Sequence, residues 1–378
     1  MNPIVRVAFL WCFVSLTLFL SSTSSAVQAA DKPLRVTFLS PSVLETHPFW
    51  SDYAAFMEAA ANSLGIDLTL VETKDRYEVE DTARQILSTP DKPDYLVYIY
   101  QAKNTQSVLE MAENVGVKSF ITNTDVLPAE RYKVDYPRGK FRHWIGHIFP
   151  DDDLAGRHLA ESLLDKAVER KMVASDGKLH IIGIGGNLDS TASLYRETGL
   201  RKALVESPDA VLDHYVLADW SSEIAHDKAI HLFEIFPKAN VYWAASDGIS
   251  LGVLRAKKES GAFLGQDFLT GGINWSPEGV EAVQSGKMEA TVGGHFTEGA
   301  WVLTLIYDYH HGKDFANPDA TFRSQMGLIN QDNVQSYLPF LDRDNWKKID
   351  FKRFSKVLNP KLKEYDFSPE AFMLELAR

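Results

Sequence analysis

"LRVTFLSPSVLETHPFWSDYAAFMEAAANSLGIDLTLVE", residues 34–72, decides the fold. Leu34 to Leu39 is a short apolar run, the pattern of a buried strand. Trp50, Tyr53, Met57, Ala60 and Leu64 then recur at helical spacing, and Gly65 is a C-terminal stop. Ile66 to Glu72 is a second strand. The same rhythm runs on: "VEDTARQILS" is a helix, "PDYLVYIY" a strand, "TQSVLEMAENVG" a helix that Asn104 can cap, and "VKSFITN" a strand. Strands alternating with helices imply a parallel sheet covered on both faces.

After "FRHWIGHI", a strand at 141–148, the pattern restarts. Asp151 to Asp153 cap a helix from Leu154 to about Lys171. The strands "KLHIIGIGG", "DHYVLA", "NVYWAAS", "FLTGGIN" and "MEATVGGHF" then alternate with helices, one of them opened by Ser276 as cap and Pro277 at the first helical position. The fold class is α/β, with two similar doubly wound parallel-sheet lobes. No short-period repeat and no low-complexity linker separates them. From about Leu338 the tail "LPFLDRDNWKKIDF" is charged, aromatic and irregular.

Composition bounds the function. The 378 residues are 45% hydrophobic and 24% charged, as in a soluble two-lobed chain. The net charge of −12 argues against nucleic acid or anionic lipid as a partner. Arg6 and the apolar run "VAFLWCFVSLTLFL", too short to span a bilayer, precede "SSTSSAVQAA". Val27 and Ala29 fit the positions before a signal-peptidase cut, so residues 1–29 read as a signal peptide and the mature protein as periplasmic. The single cysteine, Cys12, lies in that leader, which leaves a mature chain without disulfide or thiol chemistry.

In open parallel sheets, ligands bind outside the carboxyl ends of the strands. Phe49 and Trp50, Tyr100 to Lys103, Asn123 to Asp125, Gly185 to Ser190, Asp219 and Trp220, Ser246 and Asp247, and Asn274 and Trp275 all follow strand ends. These stretches are polar, aromatic or Gly-rich, and their clustering at strand ends marks a binding site.

"THPFW", "YRETGLRKAL", "ADW", "AASDGISLGVLRA" and "SGKMEATV" resemble, as a set, the type I periplasmic binding proteins, closest to the ribose-binding-like branch. "PDYLVYIY", "ITNTDVLPAERY" and "FRHWIGH" are also similar to the autoinducer-2 receptors of that branch. The resemblance runs from about Leu34 to Phe322. It implies a hinge of three crossing strands near Gly146–Phe149, Gly293–His295 and Phe322–Gln325. Lobe one would comprise 31–147 with 295–322, and lobe two 148–293 with 323–378, C-terminal extension included.

The resemblance also implies residue roles. Phe49 and Trp50 match an aromatic pair that stacks on a sugar ring, Trp220 the aromatic of the opposite wall, and Arg196 an arginine that grips ring hydroxyls. Ser246 and Asp247 match an Asn-Asp pair, Asn274 an aspartate, and Tyr100, Asn123 and Asp125 further polar contacts. His295 stands beside Gly294, where the hinge often offers a polar or basic side chain. Ser246 in place of an amide and Asn274 in place of a carboxylate make the pocket less acidic than a pentose site.

Bland readings stand beside these. Helical spacing puts Trp50 on a buried face with Tyr53 and Met57, and Asp247 serves equally as a helix cap. "GIGGN" lacks the spacing of a phosphate loop. Asp151–Asp153 lack the EF-hand pattern, and His310–His311 and His143/His147 lack metal-ligand geometry. No nucleophile elbow is present. The expected protein is a monomeric, cofactor-free receptor, not an enzyme, that captures a sugar or sugar-like molecule for an ABC permease. The alternative partner is a membrane sensor kinase or chemoreceptor, and the remote alternative a secreted hydrolase.

Overall fold

The computed structural model describes residues 32–260, 267–316 and 319–378. The leader reading, with Cys12, lies outside them. In chain order the first lobe contains β1 (Arg35–Ser40), α1 (Pro48–Leu64), β2 (Asp67–Glu72), α2 (Val79–Ser88), β3 (Tyr95–Ile99), α3 (Thr105–Val115), β4 (Lys118–Thr122), α4 (Arg131–Val134) and β5 (Trp144–Pro150). The second contains α5 (Asp152–Glu169), β6 (Leu179–Gly185), α6 (Thr191–Glu206), β7 (Ala210–Leu217), α7 (Ser222–Ile235), β8 (Val241–Ala244), α8 (Asp247–Glu259), β9 (Leu269–Asn274), α9 (Pro277–Gln284) and β10 (Ala290–Gly293). The chain returns as α10 (Glu298–His310) and β11 (Thr321–Ser324), then crosses into β12 (Gly327–Asn330).

The sheets have the orders β11-β5-β4-β3-β1-β2 and β12-β10-β9-β8-β6-β7. Each keeps the 2-1-3-4-5 winding, so each has a switch point where a ligand finds a crevice. Burial follows position: β3 is buried throughout, whereas the edge strand β2 alternates. Every pairing is parallel except β12, which runs antiparallel to β10. The cause is the short link over Gln325 and Met326. It turns the chain from the first sheet straight into the second, with no helix to restore direction. The lobes meet in three crossings, at Pro150–Asp152, Gly293–His295 and Ser324–Gly327.

Local signals hold helices where the sequence puts them. Pro48 starts α1, and Gly65, at φ 72°, closes it with its N–H on the Ala61 carbonyl. Asp151 caps α5 through the Leu154 N–H, and Ser276 caps α9 through Gly279. Asn104 precedes α3 without a side-chain cap. Helices α5 and α6 approach backbone to backbone: a Cβ on Gly156 would lie 2.0 Å from the Arg196 carbonyl oxygen.

The tail departs from the sequence reading twice. It is irregular only in part: it forms α11 (Val334–Leu341), α12 (Arg343–Trp346) and α13 (Pro369–Leu376), with residues 355–368 in turns and extended chain. Nor does it belong to the second lobe alone. Phe56 of α1 makes edge-to-face contacts with Phe340, Trp346, Phe351 and Phe372, at centroid distances of 5.9, 5.1, 5.3 and 5.1 Å. The fully buried Asp308 of α10 accepts from the Ser355 and Tyr365 hydroxyls and the Lys356 N–H. Arg343 pairs with Asp52 of α1 at 2.6 Å, while Tyr337 packs on Trp275 of lobe two at 5.0 Å. The extension therefore straddles both lobes. Its aromatic residues follow no single period because each comes from a different short helix or turn. A cavity of about 240 Å³, lined by Asp52, Trp275, Val280, Phe296, Leu338 and Trp346, lies where lobes and extension meet.

Candidate functional site

Arg196 is the centre of the polar face between the lobes. It projects from α6 and is 4% exposed. Its Nε donates to Asp152 at 2.7 Å and its Nη1 to the Ala245 carbonyl at 2.8 Å. Nη1 also lies 3.5 Å from Asn274 Oδ1, and Nη2 lies 3.4 Å from His295 Nε2. The guanidinium carbon is 5.7 Å from the Trp220 ring. Burial pushes the Asp152 carboxyl up, and the Arg196 charge opposes it. The pair fixes a planar donor fork whose Nη2 side faces between His295 and Trp220.

His295 completes the arrangement from the second crossing. It is buried, and burial together with the Arg196 charge holds its pKa well below the usual range, so the ring is neutral. A guanidinium only donates, so Nε2 accepts and the hydrogen sits on Nδ1. That Nδ1 is buried without a partner. The ring of Phe49 stacks on the imidazole, with centroids 4.5 Å and planes 28° apart. A continuous series, Phe49, His295, Arg196 and Trp220, thus runs from lobe one to lobe two.

Trp220 occupies a turn in which Asp219 and Trp220 both have positive φ, 48° and 61°. Its ring lies on Gly186, where a Cβ would come within 2.3 Å. Gly186, just after β6, therefore makes room for the indole. Between the lobes, the Thr191 hydroxyl of α6 donates to the Asp125 carbonyl of lobe one at 3.0 Å.

Other expected residues have local duties. Trp50 turns into the lobe-one core, 5.4 Å from Tyr53 and 6.3 Å from Phe38, because helical spacing aligns it with the buried stripe. Of the aromatic pair, only Phe49 reaches His295. The Tyr100 hydroxyl donates to Glu130 at 2.6 Å. The Asp125 carboxylate faces Arg131 at 2.5 Å. Ser246 caps α8 through Ile249. Asp247 is fully buried; it accepts from the Ser276 N–H and hydroxyl and from Thr291, and burial pushes it up to about 6. It ties α8 to α9 and β10, which leaves a ligand little of its carboxylate.

Asp152 and Glu298 escaped the sequence reading, while Asn123 was named in it and Gln101 and Asn187 entered it only within longer strand-end stretches. Asp152 stands inside the acidic triplet read as a cap; only Asp151 caps, while Asp152 turns inward to Arg196. Glu298 opens α10, fully buried, accepts from Ser324 at 2.5 Å, and is pushed up to about 8 by burial. Asn123 lies close enough to Glu298 to affect its charge, yet its amide nitrogen makes no hydrogen bond of normal geometry. Gln101 Oε1 and Asn187 Oδ1, at strand ends in opposite lobes, are buried without partners. A helix start or a strand end is the only sequence signal these residues carry. Among the described residues, no group of three or more His, Cys, Asp or Glu is placed to hold a metal ion.

Two wound sheets, three crossings and a polar face between the lobes define a hinged two-lobe binding protein. The profile described as "Periplasmic binding protein domain" matches residues 38–314, and the chain belongs to that family, in its type I, ribose-binding-like branch. A solved periplasmic sugar-binding protein from Pseudomonas fluorescens is 30% identical, with a TM-score of 0.79, covering 91% of this chain and 100% of that one. An ABC transporter solute-binding protein from Actinobacillus succinogenes with bound D-allose, 16% identical at TM-score 0.70 over 81% of this chain and 100% of that one, shares the fold. The galactofuranose-binding protein of Escherichia coli K12 is 24% identical over 142 residues, 34% of this chain and 43% of the relative. The ribose import binding protein of Salmonella typhimurium is 26% identical over 152 residues, 39% of this chain and 46% of the relative. Each of these two matches spans less than half of the relative's length.

Proposed function

We propose that this chain is a periplasmic receptor that closes its lobes on a sugar or sugar-like polyol and delivers it to an ABC importer, with binding and no reaction as its chemistry. One observation carries the reading: the Arg196 fork is fixed by Asp152 and Ala245, with its free edge between Trp220 and His295. Phe49, Arg196, Trp220, Asn274, His295 and Asn123 form the ligand-facing set. The relatives' named sugars, galactofuranose and ribose, and the allose bound to a neighbour of the same fold agree with that chemistry.

The remaining Nη2 hydrogen of the guanidinium offers a charged donor to a ring hydroxyl, the indole covers a C–H face, and Gln101 and Asn187 supply acceptors. The Arg196 charge is already balanced by Asp152, which favours an uncharged ligand over a sugar phosphate or uronic acid. A thermal-shift screen of residues 30–378 against D-allose, D-ribose, D-galactose, L-arabinose and myo-inositol tests this. Binding raises the melting temperature, and titration calorimetry of any hit should give a micromolar or tighter Kd, about −8 kcal/mol or better. Equal shifts from sugar phosphates, or none from any neutral polyol, would overturn the reading.

A further inference from the structure

Arg76 reaches out of lobe one at the end of β2, in a single turn, Arg76–Glu78, capped by Asp75. Its Nη2 lies 3.0 Å from Asp189 and 3.8 Å from Asp219. Both acids belong to lobe two. Asp189 follows β6, and Asp219 sits in the left-handed turn beside Trp220. Asn187 donates to the same Asp219 oxygen at 3.2 Å. On its own side, the Arg76 guanidinium lies 4.9 Å from the Tyr77 ring centre and donates to the Tyr77 hydroxyl at 2.8 Å. A lobe-one cation is therefore held in place by its neighbour and aimed at two carboxylates on the loops that carry Asn187 and Trp220.

We propose that Arg76 is a latch: it joins the lobes across the mouth of the cleft and sets how long the closed form lasts before reopening. The inference rests on the inter-lobe cleft being the ligand site. An ion pair this close to solvent adds little to folding. This pair, however, exists only when the lobes are together, so its whole contribution falls on the equilibrium between closed and open forms. Arg76 touches no part of the Arg196 series. It positions the loops without gripping the ligand, and its loss should speed release and leave capture unchanged. Because the partners are partly exposed, salt should weaken the latch.

Single-molecule energy transfer on residues 30–378 tests this without any sugar. That span contains no native cysteine, so dyes can be placed on Tyr132→Cys in lobe one and Val205→Cys in lobe two, positions 80% and 83% exposed. Arg76→Ala should shorten the closed-state dwell time about fivefold. Raising NaCl to about 0.5 M should shorten the wild-type dwell towards the variant's value and leave the variant unmoved. The exchanged pair Arg76→Asp with Asp189→Arg should recover most of the dwell time, which a merely structural role for Arg76 would not allow. An unchanged dwell in Arg76→Ala, no recovery in the exchanged pair, or a wild-type chain that never visits the closed form each overturns the latch. A chain that closes and reopens as described but binds no sugar of the screening panel refutes the receptor reading and leaves the latch intact.

Discussion

The phenyl ring of Phe49 and the imidazole of His295 lie face to face, 4.5 Å apart at their centres, one from the first helix of lobe one and one from the second crossing. The contact fixes the plane of His295 and with it the ring nitrogen that meets Arg196. Phe49→Ala should therefore weaken sugar binding by about 1–2 kcal/mol through loss of the supporting ring. Titration calorimetry checks it. An unaltered Kd in a folded variant would remove Phe49 from the site.

Trp220 is only partly buried and lies on a strand-end turn, so its removal should spare the fold and harm the ligand. Trp220→Ala should cost about 2 kcal/mol or more of affinity, some 30-fold, with little change in the melting temperature of the ligand-free chain. The opposite pattern, lost stability with retained affinity, would make Trp220 a packing residue.

Gly156→Ala tests how Arg196 is held. The added methyl would meet the Arg196 backbone at 2.0 Å, and α5 must move away from α6. A stability loss of about 1–3 kcal/mol in urea unfolding is expected, together with weaker sugar binding as Asp152 and Arg196 separate. Unchanged affinity would mean that the Asp152 contact does not orient the fork.

Glu298 and His147 give the chain a pH signature. Burial pushes Glu298 from 4.5 up to about 8, so between those values the folded chain holds a proton that the unfolded chain releases. Its contribution to stability therefore falls as pH rises through that window. His147 is held down from 6.5 to about 4 by burial, and its contribution falls as pH drops through that range. Glu298→Gln keeps an acceptor for Ser324 and removes the titration. Its stability relative to wild type should grow steadily from pH 5 to pH 8, by a few kcal/mol at most. Melting temperatures across that range decide it, and parallel curves for the two proteins would refute the assignment.

Phe56 anchors the extension through four aromatic contacts. Phe56→Ala should cost about 3–5 kcal/mol and loosen the backbone around the already exposed Lys347 and Lys348, so that trypsin cuts there faster in the otherwise folded chain. An unchanged cutting rate in the variant would show that Asp308 and Arg343 alone suffice to hold that segment.

The sequence carried much of this in forms that local physics makes readable. Strand and helix alternation, the Gly65 stop and the Ser276–Pro277 start need only periodicity and backbone geometry, and the sheets follow from them. Arg196, Trp220 and His295 came instead from the resemblance to a family, among other residues, and the structure places these three beside one another and beside Phe49. What escaped depends on partners far along the chain. Asp152 looked like its capping neighbours because only Arg196, 44 positions later, gives it another task. Trp50 and Phe49 are adjacent, yet the roughly 100° step between helical neighbours sends the first into the core and the second to His295. Asp247 has enough donors from Ser276 and Thr291 to keep it busy, and no local pattern announces them. The tail was opaque because burial on α1 and α10 is a property of their surface, not of the tail's own spacing.

The two edge strands β11 and β12 stand only two residues apart, yet each completes a different sheet. Cutting at the first crossing therefore leaves the N-terminal half without β11, which the chain adds to its sheet only after the second lobe, while the C-terminal half keeps β12. During synthesis, both halves must wait for the same late stretch, so they finish together, and a premature stop near residue 320 spoils both at once.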